Sequence, residues 1–187
     1  MKRPPYEDLP GPRLPPDIPL SALLEWCVAY VEFAVREKRD TSPLFMSIEA
    51  DGTSRLCPVD WGSDEEKDEA AIWFRGLLQT RQAVRYATII ESWVIELPAL
   101  LPNGAPVPKS FIDTITQIIQ REGTGIFPEL RRELFFVQVA DRDHSVAAVL
   151  YIERDAERRI SRLIRRPMEG PMQASFGRFT NLLSTVH

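Results

Sequence analysis

The chain has 187 residues, 44% of them hydrophobic and 27% charged, with a formal net charge of -4. That is the size and make-up of one globular domain, and the negative balance excludes a general attraction to nucleic acid or acidic membranes. No apolar run approaches the roughly 20 residues of a membrane span, and two histidines and two cysteines leave few ligands for a zinc site or a nucleophilic triad.

Residues 1–19 contain seven of the 16 prolines. Proline removes a backbone donor and fixes φ, so this stretch reads as an extended arm without helix or ladder pairing. The start, Met1-Lys2-Arg3-Pro4-Pro5, lacks the apolar stretch of a secretory signal. Residues 20–187 read as a single domain. Its first element is a helix over Ser21–Lys38, with Leu20, Leu23, Leu24, Cys27, Val28, Val31, Ala34 and Val35 on one face. Trp26, Tyr30 and Phe33 form a second stripe. A helix apolar on two sides is covered on two sides, here by the sheet and by either the proline arm or a second subunit.

A hairpin follows. Leu44–Glu49 and Ser54–Val59 flank Asp51-Gly52, the dipeptide that favours a tight turn. Next, Ser63 and Glu66 make a capping box at the head of a helix over 64–82. Its apolar side holds Ala70, Ala71, Trp73, Phe74, Leu77 and Leu78. Residues 83–97 alternate with large apolar groups on both faces, which marks a central strand.

Residues 97–130 read as a loop and short helix inserted between strands, with Phe111, Ile112, Ile115, Ile118 and Ile119 on one side. A three-strand meander closes the domain, over Leu134–Ala140, Ser145–Glu153 and Arg159–Ile164. Phe176 and Phe179 suggest a short terminal helix. The class is therefore α+β: a mostly antiparallel sheet of about six strands, with the two main helices packed on one face.

Four places could carry function. Arg154, Arg158, Arg159, Arg162, Arg165 and Arg166 crowd into thirteen residues against only Asp155 and Glu157. Such a patch suits an anionic partner, or protects a sheet edge from pairing. Glu91, two residues before Trp93, and Glu133, after Arg131-Arg132, are carboxylates set in apolar strands. Each needs a cationic partner, as a structural ion pair or for acid–base work. Trp26, Tyr30 and Phe33 form a candidate interface. Asp141-Arg142-Asp143-His144 offers oxygen and imidazole donors, but those residues also suit a turn. Cys27 and Cys57 read as reduced thiols, Cys27 as core filling. There is no glycine-rich phosphate loop, G-x-S-x-G or H-E-x-x-H, so no cofactor and no metal is expected.

The order of hairpin with Asp51-Gly52, capped helix 63–82, Glu91-Ser92-Trp93 and Arg132-Glu133 loosely resembles small bacterial proteins. That resemblance covers about half the chain and implies no activity. The expectation is a non-catalytic, cytoplasmic bacterial protein that acts through protein contacts, with itself as a homodimer or with another protein. The alternative is a nucleic-acid-associated protein, or a carboxylate-dependent enzyme, using the Arg-rich meander.

Overall fold

The computed structural model describes residues 8–37, 43–96, 104–122, 126–166 and 182–183. In chain order they form β1 (Leu9–Pro10), α1 (Leu20–Arg36), β2 (Leu44–Glu49), β3 (Ser54–Pro58), α2 (Asp64–Thr80), β4 (Ala83–Ile95), α3 (Lys109–Glu122), β5 (Arg131–Ala140), β6 (Ser145–Arg154) and β7 (Ile160–Arg166). The expected helix around Phe176 and Phe179 lies outside the described residues. All strand pairs are antiparallel, in the order β1-β3-β2-β4-β5-β6-β7. The α+β class holds, with β4 at the centre of the sheet.

The sheet has seven strands among the described residues, not six. The extra one comes from the proline arm, where ladder pairing was not expected. Leu9 and Pro10 pair with Leu56 and Arg55, and the Gly11 N–H donates to the Ser54 carbonyl at 2.9 Å. Proline costs the ladder one donor, which an edge position tolerates. Beyond this strand the arm stays bound. Leu14 N–H donates to the Gly52 carbonyl at 3.2 Å. Ser54 Oγ donates to the Pro12 carbonyl, Arg85 donates to the Pro16 carbonyl, and Arg81 pairs with Asp8. Gly52 has φ +83°, and a Cβ there would stand 2.9 Å from the Leu14 carbonyl oxygen. Glycine is therefore needed both for the turn and for the arm's approach.

The two main helices lie on opposite faces, not on one. Leu44, Met46 and Ile48 of β2, Ala87 and Ile89 of β4, and Phe135, Val137 and Val139 of β5 enclose Leu23, Leu24, Cys27, Val28 and Val31 of α1. The intervening residues Phe45, Tyr86, Ile90 and Ala140 pack with Ala70, Ala71, Phe74 and Leu78 of α2. Successive strand side chains point to opposite faces. Strands apolar at both parities need cover on both sides, which one layer of helices cannot give.

The capping box forms with one change of partner. Glu66 N–H donates to Ser63 Oγ at 3.2 Å, and the Glu66 carboxylate accepts from the N–H of Gly62. At its other end α2 stops at Gln82, which has φ +51° and donates its N–H to the Gln79 carbonyl at 3.1 Å. This left-handed position is usually glycine. Gln82 is exposed, so Gln82→Gly should stabilise the fold by about 0.5–1 kcal/mol. Relief of a Cβ clash worth roughly 1–2 kcal/mol outweighs the extra chain entropy of glycine. Urea unfolding measures the gain, and a loss would mean the Gln82 side chain holds a contact of its own.

Of the apolar side of α3, Ile115 is buried and Ile118 and Ile119 half-buried, while Phe111 and Ile112 remain exposed. The other deviations are at strand ends. β5 begins three residues before the expected Leu134, with Arg131, Arg132 and Glu133 opposite Ile95, Val94 and Trp93.

Candidate functional site

Alternation along three adjacent strands gathers Glu91, Glu133 and Arg154 at one end of the sheet, on the face that carries α1. Glu91 follows Ala87 and Ile89, Glu133 precedes Phe135, and Arg154 continues from Leu150 and Ile152. Arg154 Nε donates to Glu133 Oε2, its Nη2 donates to Glu91 Oε1 at 3.3 Å, and its Nη1 donates to the Arg158 carbonyl at 3.0 Å. One guanidinium therefore serves both carboxylates. Burial pushes the Glu91 carboxyl above its ordinary value. Arg154 pulls it back and Glu133 pushes it further up.

The partners differ from those adjacent in sequence. Glu133 follows Arg131-Arg132 but is held by Arg154, 21 positions away. Arg132 reaches Glu96 at 3.2 Å, and the Arg131 guanidinium lies 3.4 Å from the centre of the Trp93 ring. Trp93 is 38% exposed, so this stacked pair forms the solvent side of the cluster. Only the register links them, because Trp93 stands opposite Glu133.

The Arg-rich meander meets acids of its own turn and acids from elsewhere in the fold. Arg159 pairs with Asp155 at 3.0 Å and Glu157 at 2.7 Å. Both terminal nitrogens of Arg165 donate to Glu25 of α1, each at 2.7 Å. These hydrogen bonds hold the Glu25 carboxyl below the usual carboxylate range. Arg166 reaches Glu96 at 2.6 Å and lies 4.6 Å from the Tyr151 ring centre. Among the described residues Arg158 and Arg162 make no ion pair. Arg162 stands opposite Glu153, and Arg158 occupies the left-handed turn position with φ +62°. Four of the six arginines thus face carboxylates of their own chain, and the patch is far less basic than its sequence.

The remaining groups are chemically quiet. Asp141 Oδ1 accepts from the N–H groups of Asp143 and His144, at 2.9 and 2.7 Å, which makes it a turn cap. Among the described residues no three His, Cys, Asp or Glu gather to hold a metal ion. Cys27 and Cys57 are free and buried. Burial pushes their thiols up to about 12 and about 11, and for Cys57 the charge of Asp8 adds while Arg81 opposes. Thiols so raised stay protonated and are poor nucleophiles.

On α1, Trp26 and Tyr30 stack with ring centres 5.9 Å apart. Both are half-buried beside the α1 core, as are Leu14 and Ile18 of the arm. Phe33, almost a turn further on, is 43% exposed. Compared with known families, with curated proteins and with solved structures, the chain matches none.

Proposed function

We propose that this chain is a small cytoplasmic protein that acts through protein contacts, as a homodimer built on α1, and not through catalysis. The observation that carries the reading is the aromatic ridge of α1, where the stacked Trp26 and Tyr30 run into the exposed Phe33. Aromatic residues are enriched at protein interfaces because they bury much area at little entropic cost. The titratable groups add support. Glu91 and Glu133 share Arg154, and both thiols are buried. Buried free thiols suit a reducing compartment, and no helix among the described residues is long and apolar enough to cross a membrane.

Light scattering after size exclusion tests this directly. The wild type should show the mass of two chains. Tyr30→Glu, which places a charge in the ridge, should raise the dissociation constant at least tenfold and leave a folded monomer. Deleting residues 1–18 should instead lower the melting temperature, because Leu14 and Ile18 pack on the α1 core. A wild type that stays monomeric through tens of micromolar would remove the proposal. The alternative, a nucleic-acid surface on β6 and β7, has weaker support because Glu25, Glu91, Glu96 and Glu133 neutralise its arginines. Steeply salt-dependent retention on heparin would restore it.

A further inference from the structure

Three polar side chains are enclosed within the sheet on the side that α2 covers. Ser47 of β2, Thr88 of β4 and Gln138 of β5 are each 0% exposed. Among the described residues, Ser47 Oγ, Thr88 Oγ1 and both Oε1 and Nε2 of Gln138 have no hydrogen-bond partner. Alternation sets them on the same face as Phe45, Tyr86 and Ala140. Thr88 stands directly opposite Gln138, and Ser47 stands opposite Tyr86, a diagonal step from Thr88.

Buried donors and acceptors are nearly always paired, because leaving one unmade costs more than a made bond returns. Here four such atoms sit on three neighbouring strands. Apolar side chains of like shape at these positions would have avoided the cost altogether. Beside Gln138 on this face stand Ala147, directly opposite on β6, and along β5 the small Ala140 on one side and the large Phe136 on the other. Chemistry limits the occupant further. The row across the sheet reads Cys57, Phe45, Thr88, Gln138 and Ala147, with no ionised group. A glutamine amide presents a donor and an acceptor side by side. Its complement is a planar edge that also carries an N–H beside a C=O.

We propose that Thr88 and Gln138, with Ser47 at the margin, form an enclosed binding site for one small uncharged molecule bearing a carboxamide-type edge. The site is separate from the α1 ridge and does not depend on the chain being a dimer. Ordered water is the competing occupant, and the test distinguishes the two.

Thermal melting of the full chain with acetamide and uracil as neutral probes, and acetate as the charged control, reads the site. A saturable rise in melting temperature is expected with at least one neutral probe and none with acetate. Gln138→Leu should abolish the response. Thr88→Val, which keeps the shape and loses only the hydroxyl, should stay folded and weaken the apparent affinity at least tenfold. A wild type that answers neither probe overturns the proposal and leaves water as the occupant. So does a response that survives undiminished in Thr88→Val or Gln138→Leu.

Discussion

Replacing Phe74 by Ala is expected to destabilise the fold by about 3–5 kcal/mol, the usual range for a buried phenylalanine. Phe74 is fully buried and joins α2 to the sheet. Its ring stacks on Phe45 of β2 at 4.5 Å and meets the edge of Tyr86 of β4 at 6.2 Å. Truncation would open a hole walled by two strands in the middle of a hydrogen-bonded sheet. Those strands cannot close in without breaking register on both sides, so the cavity should persist at nearly full cost. Denaturant unfolding gives the number. A loss below about 1 kcal/mol would mean that α2 does not rest on this face.

That contact was partly legible in the sequence. The capping box and the 64–82 periodicity place Phe74, Leu77 and Leu78 on one side of a helix, and Asp51-Gly52 fixes the hairpin that presents Phe45. The two-sided apolar pattern of 83–97 places Tyr86 at the centre. The expectation of both helices on one face overlooked that pattern, because Tyr86 and Ile90 cannot face the layer that Ala87 and Ile89 face. What the sequence hides is whatever depends on register. Arg165 and Glu25 are 140 positions apart, so counting charge along residues 154–166 misses the carboxylate. The same holds for Arg154, which meets Glu91 across 63 positions. β1 escapes for another reason. Proline counts against a strand by its missing donor, but an edge strand of two residues needs few donors, and Gly11 supplies one.

The last expectation concerns Arg154→Met, which should cost about 2 kcal/mol at neutral pH, with a cost that shrinks in acid. Removing one partner of a fully buried ion pair costs roughly 3–5 kcal/mol. Here the side chains of Arg154 and Glu91 are 30% and 33% exposed and that of Glu133 12%, so solvent screening reduces the figure. The folded state raises the Glu91 carboxyl above its ordinary value. It therefore binds that proton more tightly than the unfolded chain does. This contribution is fully present at low pH and is lost as pH rises through the folded value. Taking away Arg154 removes the one influence that opposes the rise and leaves two like charges facing each other. The variant should then be weakest at neutral pH, and should approach the wild type as acid neutralises Glu91. Unfolding curves at pH 7 and pH 4 show this directly. A deficit that ignores pH would assign the loss to packing of the arginine stem. Adding Glu91→Gln and Glu133→Gln to Arg154→Met completes the argument. If charge is the cause, the neutral triple variant regains most of the lost stability at pH 7, and the loss in Arg154→Met is the cost of leaving Glu91 and Glu133 unpaired, not the net worth of the ion pair. If it regains none, the arginine acts through its hydrogen bond to the Arg158 carbonyl, and the left-handed turn at Arg158 depends on it.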